Sequence, residues 1–356
     1  MSALALAMII AIWVLTGAVT ERHMHNVAIN GLGRIGRAVL KIILGKPQLN
    51  LVAINDLTPI TNLAYLLRYD SVYGRFKGNV ETNADKLQIN DHAVPVLSQK
   101  NPQQLPWEEM GVELVFECTG MFRHYKDLEK HLMAGARRVL LSTAPKDADV
   151  PTVVYGVNPP KRPVPEIISA ASCTTNCVAP VAEIMARRIG VSKAVMTTVH
   201  AYTSSQDIVD SASNSLERGR AGAANLIPTS TGAATATMDV LPQYRGRFAG
   251  LAIRAPVPVG SIADITFVTE RNTSVDEINN VFKEEAASER YTDVLGITED
   301  PIVSSDVIMD PRASIVDLSR TRVVAGDLVK IMSWYDNEWG YASQMVKQAL
   351  FILQAE

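Results

Sequence analysis

A glycine motif between a predicted strand and a predicted helix constrains the fold more than any other feature of this sequence. The residues H-N-V-A-I-N, His25 to Asn30, form a short strand, and G-L-G-R-I-G follows from Gly31 to Gly36. A helical pattern continues after the motif, which is the arrangement that dinucleotide binding requires. Gly31 permits a tight turn, Gly33 lets the backbone approach a pyrophosphate, and Gly36 lets the helix pack closely on the strand.

The residues around the motif indicate which parts of a dinucleotide would be bound. The backbone N–H groups of Arg34 and Ile35 open the helix, where the positive end of the helix dipole favours a pyrophosphate. Asp56 follows a second predicted strand, Leu49 to Asn55, at the spacing expected of an acid that binds ribose hydroxyls. Its carboxylate would repel a 2′-phosphate, so NAD is favoured over NADP. Alternatively, Asp56 caps the helix that begins near Pro59.

Strands and helices alternate through the first half of the chain. Two further apolar strands are predicted at Leu114 to Cys118 and at Val139 to Ser142, with a helix around Asp127 to Ala134 between them. This order is typical of a doubly wound parallel sheet with helices on both faces. Thr119 and Ser142 fall at the carboxyl ends of these strands, where such folds bind ligands.

The second half of the chain has a different pattern. Arg254 to Val268 and Leu328 to Tyr335 are predicted as long antiparallel strands, and Val275 to Arg290 as an amphipathic helix. An apolar-periodic helix then runs through Leu353. Because 356 residues exceed what one small core holds, two domains are predicted.

Composition and charge describe an ordinary soluble globular protein. A net charge of -3 gives no reason to expect a nucleic acid or a membrane surface as partner. The 3 cysteines, few and odd in number, indicate a reducing compartment. Without clustered histidines they also argue against a metal site.

An apolar stretch at the start of the chain, Ser2 to Val19, is the exception to this composition. As a helix it would approach the thickness of a bilayer core, so it can be interpreted as a membrane anchor. It lacks the basic region of a secretory signal, and Met24 offers a second start immediately before the first strand. Residues 1–23 are therefore expected to be a non-native or poorly ordered extension rather than an anchor.

The stretch most suited to chemistry surrounds Cys173. A helical pattern begins at Ser172, so Cys173 lies at a helix N-terminus, where the dipole is expected to lower its pKa. The alternative is a small buried thiol, but the hydroxyls of Ser172, Thr174 and Thr175 argue against an apolar pocket. Cys173 is predicted to be a nucleophile. Cys177, one turn further, is predicted to be structural.

His200 is the candidate partner of this nucleophile. It lies near the end of V-M-T-T-V-H-A-Y, Val195 to Tyr202, which is rich in strand-forming residues. A lone histidine is more often a packed or surface residue than a catalyst. Cys173 nevertheless needs a group that accepts a proton near neutral pH, and histidine is the natural choice.

The residues A-S-C-T-T-N-C around Cys173 closely resemble the active-site signature of the phosphorylating glyceraldehyde-3-phosphate dehydrogenases, and the resemblance runs from about Met24 to the C-terminal end. It implies an α/β fold with a Rossmann-type doubly wound parallel sheet and an α+β catalytic domain containing a large, mostly antiparallel sheet. The NAD-binding domain would span residues 24–172 and the catalytic domain 173–336. The C-terminal helix, 337–356, would return to the first domain.

The same resemblance implies roles for individual residues. Thr119 and Ser142 would line the nicotinamide side of the cofactor, Asn337 would hold its carboxamide, and Lys100 would contact the adenine side or be a solvated surface lysine. The segment T-T-V-H-A-Y-T matches the family's and supports His200 as the base. Inorganic phosphate would be held by five residues: Ser172, Thr174, Arg218, Thr231 and Gly232. The substrate's phosphate would be held by Thr203 and Arg254. The loop after His200 carries two arginines, Arg218 and Arg220, of the kind that bind phosphate, and the alternative for each of these two is a surface ion pair.

The activity implied is NAD-dependent oxidation and phosphorylation of glyceraldehyde 3-phosphate to 1,3-bisphosphoglycerate through a cysteine thioester, in a cytoplasmic homotetramer whose loop from Ser204 to Asn225 reaches a neighbour. Two alternatives stay open. The stretch D-P-R-A-S-I-V-D, Asp310 to Asp317, resembles the sister family of erythrose-4-phosphate dehydrogenases. The apolar start of the chain is the only support for a non-catalytic nucleotide-binding or membrane-tethered scaffold.

The loop leaves the cofactor preference partly open. Ser211 and Ala212 are small where strongly NAD-selective relatives tend to carry leucine and proline, and in this they resemble members that tolerate NADP. The expected cofactor is NAD, and NADP use is not excluded.

Overall fold

The computed structural model describes residues 24–354, so the expectation for residues 1–23 lies outside it. Two large sheets organise the chain. Strands in the first half are His25–Asn30 (β1), Leu49–Asn55 (β2), Tyr69–Asp70 (β3), Gly74–Arg75 (β4), Val80–Asn83 (β5), Lys86–Ile89 (β6), His92–Leu97 (β7), Leu114–Glu117 (β8), Arg138–Leu141 (β9) and Ile167–Ser169 (β10). Helices there are Arg34–Ile43 (α1), Ile60–Arg68 (α2) and Tyr125–Met133 (α3).

The elements of the second half are named in the same way. Its strands are Val191–Ala201 (β11), Ile227–Thr229 (β12), Phe248–Ala255 (β13), Ser261–Thr269 (β14), Leu295–Thr298 (β15), Ser314–Asp317 (β16), Arg322–Val324 (β17) and Leu328–Tyr335 (β18). Its helices are Cys173–Arg188 (α4), Ala233–Val240 (α5), Val275–Ala286 (α6) and Trp339–Gln354 (α7). Among residues 24–354, no helix combines the length and apolar character needed to cross a membrane.

The first sheet has the order β10-β9-β8-β1-β2-β7-β6-β5. The six strands β10, β9, β8, β1, β2 and β7 pair in parallel with their neighbours. At one edge, β6 pairs antiparallel with both β7 and β5. In β1, Val27 and Ile29 face a core that includes α1 and α7, whereas Ala28 faces a second cluster around Trp107. Burial on both faces explains the continuous apolar runs of the central strands. The doubly wound parallel sheet is confirmed.

The second sheet has the order β12-β13-β11-β14-β18-β16-β15, with β17 paired to β18. Most pairs are antiparallel, and two are parallel: β11 with β13 and β15 with β16. Alternate residues of β14 are buried against helix α4. This alternation shows that one face of the sheet packs on the core that contains α4. The mostly antiparallel second sheet is confirmed.

One predicted strand is wrong. Arg254 to Val268 does not form a single strand, because β13 ends at Ala255 and β14 begins at Ser261. Pro256 and Pro258 interrupt the backbone hydrogen bonding, and Gly260 has a φ of +91° that reverses the chain. The break leaves Arg254 at the end of one strand, beside the site described below.

The C-terminal helix α7 packs along α1 of the first sheet. Its first turn is held there by Glu338, which accepts hydrogen bonds from Arg34 Nε at 2.9 Å and from Arg34 NH2 at 2.5 Å. This contact joins the glycine motif to the segment that carries Asn337. The exact domain boundaries stay a prediction.

Candidate active site

Cys173 and His200 are brought together by helix α4 and strand β11. Helix α4 begins at Cys173, and Ser172 caps it, because its Oγ accepts a hydrogen bond from Thr175 N at 3.1 Å. His200 lies next to the end of β11. The distance between Cys173 Sγ and His200 Nε2 is 3.3 Å, within hydrogen-bonding reach of sulfur. This contact allows a proton to pass directly between thiol and imidazole.

The other ring nitrogen of His200 has two neighbours with opposite requirements. Nδ1 lies 2.7 Å from the carbonyl oxygen of Ala201 and 2.8 Å from Arg254 NH1. Arg254 NH1 also donates to the same carbonyl at 2.9 Å. With the proton on Nδ1, that proton is donated to the carbonyl and the lone pair of Nε2 faces Cys173. With the proton on Nε2, Nδ1 accepts from Arg254 and Nε2 donates to the sulfur. The site therefore supports both proton positions.

Burial sets the charge of the free pair. It raises the pKa of the Cys173 thiol, opposed by the Arg254 guanidinium and by hydrogen bonds from Thr174. The lowering expected from the helix terminus is thus outweighed by desolvation, which the sequence does not reveal. Burial, and then the positive charge of Arg254, lower the pKa of His200 to about 3. Burial thus favours the uncharged forms of both groups in the free site, and the 3.3 Å contact lets the proton pass from the thiol to the imidazole when the sulfur attacks.

Two guanidinium groups lie near this pair. Arg254 and Arg218 both act electrostatically on His200. Arg254 Nε is buried and has no hydrogen-bond partner among residues 24–354, so a strong donor remains for an anion. Arg218 donates from Nε to Thr229 Oγ1 at 3.0 Å and from NH2 to the Ser230 carbonyl at 3.3 Å. The surface ion pair proposed as an alternative for two loop arginines holds for one of them. Arg220 is exposed and pairs with Asp210 at 2.8 Å, whereas Arg218 makes no ion pair among the described residues.

The predicted phosphate-binding hydroxyls occupy different surroundings. Thr203 Oγ1 hydrogen-bonds Ser205 Oγ at 2.9 Å, and Thr231 Oγ1 accepts from Ala233 N at 3.1 Å. Gly232 is the N-cap residue of α5 and, as a glycine, makes no side-chain cap. Thr174 is buried, and its Oγ1 lies 3.0 Å from Tyr335 OH. Roles for these residues in binding phosphate stay predictions.

A cleft of about 360 Å³ lies at the carboxyl edge of the first sheet. Its lining includes five predicted or neighbouring residues: Gly31, Gly33, Asp56, Lys100 and Thr119. Helix α1 begins there, and no side chain caps its N-terminus, so the N–H groups of its first turn remain for a pyrophosphate.

The glycines of the motif meet different steric demands. A Cβ at Gly36 would lie 2.0 Å from the Gly31 carbonyl oxygen, and a Cβ at Gly31 would lie 2.7 Å from Thr119 N. Gly33 has open space where a side chain would project. Close packing thus requires Gly31 and Gly36, whereas Gly33 leaves the backbone open to a ligand. The uncapped helix, this open backbone and the Asp56 carboxylate together fit a dinucleotide.

Asp56 holds the glycine loop rather than capping helix α2. Its Oδ2 accepts from Leu32 N at 2.7 Å, and its Oδ1 accepts from Thr58 N at 2.8 Å. The N-cap position of α2 is Pro59, which makes no side-chain cap. The capping alternative is therefore wrong, and the carboxylate borders the cleft.

Asn337 and Ser142 are not among the residues that line this cleft. Asn337 is buried, and its Oδ1 accepts from Gly260 N at 3.1 Å and from Ser261 Oγ at 3.0 Å. These bonds fix the plane of its amide group. Ser142 N donates to the Glu117 carbonyl at 3.0 Å, and its side chain hydrogen-bonds the Cys118 thiol.

Tyr335 is a site residue that the sequence did not reveal. Its hydroxyl lies 2.7 Å from Thr198 Oγ1 as well as 3.0 Å from Thr174 Oγ1, and its ring meets that of His200 edge to face at 6.0 Å. It therefore fixes the start of α4 against β11 beneath the reactive pair. The only signal in the sequence was its position within the aromatic stretch W-Y-D-N-E-W-G-Y, Trp334 to Tyr341.

A cleft that fits a dinucleotide, together with a cysteine and histidine pair in the same chain, is typical of a nicotinamide-dependent dehydrogenase that works through a cysteine. Residues 25–125 match the family described as glyceraldehyde 3-phosphate dehydrogenase, NAD binding domain, and residues 172–337 match its C-terminal domain. The chain belongs to the glyceraldehyde 3-phosphate dehydrogenase family, whose cofactor is NAD.

Individual relatives agree over almost the whole chain. Glyceraldehyde-3-phosphate dehydrogenase of Streptomyces coelicolor is 45% identical over 330 residues, which are 92% of this chain and 98% of that protein. The Pseudomonas aeruginosa protein of the same name is 46% identical over 334 residues, 93% of this chain and 98% of its own length. The Zymomonas mobilis protein of that name is 44% identical over 328 residues, 91% of this chain and 97% of its own.

The Asp56 carboxylate is predicted to select the cofactor. Asp56→Ala should weaken NAD binding by about one to two powers of ten, because charge-assisted hydrogen bonds of about 1.5 to 3 kcal/mol are lost, while NADP use rises as like-charge repulsion disappears. Catalytic efficiency with each cofactor at one ionic strength measures this. Equal use of NAD and NADP by the unmodified protein would show that Asp56 does not discriminate.

His200 is predicted to activate the thiol. His200→Asn should move the pH profile of Cys173 alkylation by iodoacetamide to higher pH and slow labelling near neutrality, because the proton acceptor 3.3 Å from the sulfur is removed. Aldehyde oxidation should fall by about a hundredfold or more. Labelling and turnover that both match the unmodified protein would make His200 a purely structural residue.

Proposed function

We propose that this protein oxidises and phosphorylates glyceraldehyde 3-phosphate to 1,3-bisphosphoglycerate with NAD, through a thioester on Cys173. The observation that carries the proposal is the 3.3 Å contact between Cys173 Sγ and His200 Nε2, with the half-buried Arg254 2.8 Å from His200 Nδ1. The names of its relatives support glyceraldehyde 3-phosphate as the substrate.

The first step joins the sulfur to the aldehyde carbon. Cys173 Sγ attacks the carbonyl carbon, its proton moves to His200 Nε2, and the resulting oxyanion then takes that proton. The product is a hemithioacetal. NAD bound in the cleft would supply the acceptor for the hydride of that carbon. His200 accepts the hydroxyl proton in the same step, which leaves a thioester on Cys173.

Inorganic phosphate completes the reaction. One of its oxygens attacks the thioester carbon, the bond to sulfur breaks, and Cys173 recovers a proton from His200. The net products are the acyl phosphate, the reduced cofactor and one proton. That net proton is the one that the attacking hydrogen phosphate loses, because the proton held by His200 has returned to the Cys173 sulfur. Burial and Arg254 lower the pKa of His200, which favours that return.

The two arginines would hold the anions. We assign the phosphate of the substrate to Arg254, whose buried Nε is free to donate, with Thr203, and inorganic phosphate to Arg218. The other groups assigned to inorganic phosphate are Ser172, Thr174, Thr231 and Gly232. Guanidinium groups suit both anions because they present paired donors in a fixed plane.

The loop after β11 supports a proposal for the quaternary state. We propose a cytoplasmic homotetramer in which residues 204–225 reach a neighbouring subunit. Ile208 and Leu216 in this loop are 86% and 82% exposed, and apolar side chains this open favour burial against another surface.

The nucleophile can be tested directly. Cys173→Ser should abolish aldehyde oxidation while NAD binding survives, because the weaker nucleophile loses the thioester route but not the dinucleotide cleft. Stopped-flow reduction of NAD and binding titration measure the two properties. Substantial turnover in the variant would show that Cys173 is not the nucleophile.

The same assay separates the triose from the tetrose substrate. Catalytic efficiency of the unmodified protein should be higher with glyceraldehyde 3-phosphate than with erythrose 4-phosphate, and phosphate should be required for turnover. A preference for the tetrose would move the protein to the sister activity, and a lack of turnover with either aldehyde would favour the scaffold.

The loop is predicted to carry the subunit contact. Leu216→Asp should convert the tetramer to smaller species in light scattering, because a charge placed in a buried interface is unfavourable. Met133→Asp on α3, where the side chain is 58% exposed, is the matched control and should leave the mass unchanged. A monomer before mutation, or an unchanged tetramer after it, would contradict the assembly.

A further inference from the structure

The last residues of three neighbouring strands in the first sheet are polar and buried. Asn30 ends β1, Asn55 ends β2 and Glu117 ends β8, with exposures of 1%, 4% and 0%. The strand register places Asn30 directly between Glu117 and Asn55. Three neighbouring strands thus all end in a buried polar residue at the edge of the sheet that borders the cleft.

Glu117 is the centre of this arrangement. Its Oε1 accepts from Thr119 N at 2.8 Å and from Thr119 Oγ1 at 2.5 Å. Its Oε2 accepts from Asn30 Nδ2 at 2.5 Å and lies 3.1 Å from His131 Nε2. Trp107 Nε1 can only donate, and it lies 3.0 Å from His131 Nδ1, so the proton of a neutral His131 is on Nε2 and is given to Glu117. A carboxylate is the side chain able to accept all four bonds.

The hydrogen bonds continue across the sheet. Asn30 Oδ1 accepts from Asn55 Nδ2 at 2.7 Å, and Asn55 Oδ1 accepts from Gln99 N at 2.8 Å, beyond the end of β7. Asn30, Asn55, Gln99 and Thr119 all line the cleft, whereas Glu117 is fully buried and is not part of its lining. The carboxylate therefore touches the cleft only through its partners.

We propose that Glu117 is a positioning residue for NAD binding. Its hydrogen bonds hold the Thr119 turn against the end of the sheet. That turn packs closely on the glycine loop, because a Cβ at Gly31 would lie 2.7 Å from Thr119 N. Loss of the carboxylate leaves at least two of its four donors without an acceptor, so the turn shifts and the walls of the cleft separate. The inference rests on the assignment of this cleft as the NAD site.

The test replaces the carboxylate by an amide of the same shape. Glu117→Gln should raise the dissociation constant and the KM for NAD by about tenfold or more, while kcat at saturating NAD and the KM for the aldehyde change by less than about threefold. Binding titration and steady-state kinetics on the full chain measure this. A folded Glu117→Gln protein with unchanged affinity for NAD overturns the proposal.

Glu113 supplies a matched control at the opposite end of the same strand. It is also buried, its Oε2 lies 2.9 Å from His25 Nδ1, and its Oε1 accepts from Asn26 N at 3.1 Å. Glu113→Gln should lower the melting temperature as Glu117→Gln does but leave NAD affinity unchanged. If both variants weaken NAD binding equally, the effect is general destabilisation and the proposal fails.

Two further comparisons keep the test decisive. If Glu117→Gln does not fold, Glu117→Asp, which keeps the charge but shortens the side chain that reaches the Thr119 turn, should weaken NAD binding; unchanged affinity in this variant overturns the proposal. If Glu117→Gln folds, its effect and that of Thr119→Val should not add in the double variant. Asp56→Ala separates a failure of the cleft assignment from a failure of the positioning role of Glu117. If it alters NAD affinity and Glu117→Gln does not, the cleft stands and the positioning role fails; if neither alters it, the cleft assignment fails.

Discussion

The side chain of Cys173 packs against the hydrophobic cores of both sheets. Helix α4 therefore begins where the two halves of the molecule meet, and the backbone just before it is constrained. Ala171 has a φ of +61°, a conformation that disfavours side chains, and its carbonyl accepts a hydrogen bond from Tyr341 of α7 at 3.1 Å. The first sheet, the C-terminal helix and α4 thus determine together where the sulfur lies relative to β11 and His200.

Electrostatics at this junction couple the two functions of Arg254. Its guanidinium disfavours a proton on His200 and favours a negative charge on Cys173. It also offers a buried donor to an anion. A phosphate dianion beside Arg254 offsets the positive charge that His200 experiences, so the imidazole becomes a stronger base when an anion is bound. The proton acceptor is in this way sensitive to the presence of an anionic substrate.

Local patterns in the sequence predicted the elements that depend on local chemistry. The bounds of β1 and β2 were predicted to the residue, and the glycine motif lies where expected. The antiparallel edge β5 to β7 was missed because its short strands are largely exposed and carry no strong apolar run. The raised pKa of Cys173 and the contacts of Tyr335 were missed for a different reason: both arise from residues far apart in the chain, so spacing does not reveal them.

The carboxyl edge of the first sheet shows why polar residues occur inside an otherwise apolar layer. A buried carboxylate is unfavourable unless every acceptor position is used, and Glu117 meets that condition only because Asn30, His131 and the Thr119 turn converge on it. Apolar residues at these positions would pack without that requirement, but they would not fix the turn in one place. The hydrogen-bonded residues at this edge therefore tolerate substitution poorly, but they hold the walls of the cleft rigidly. A site for an extended cofactor requires that rigidity.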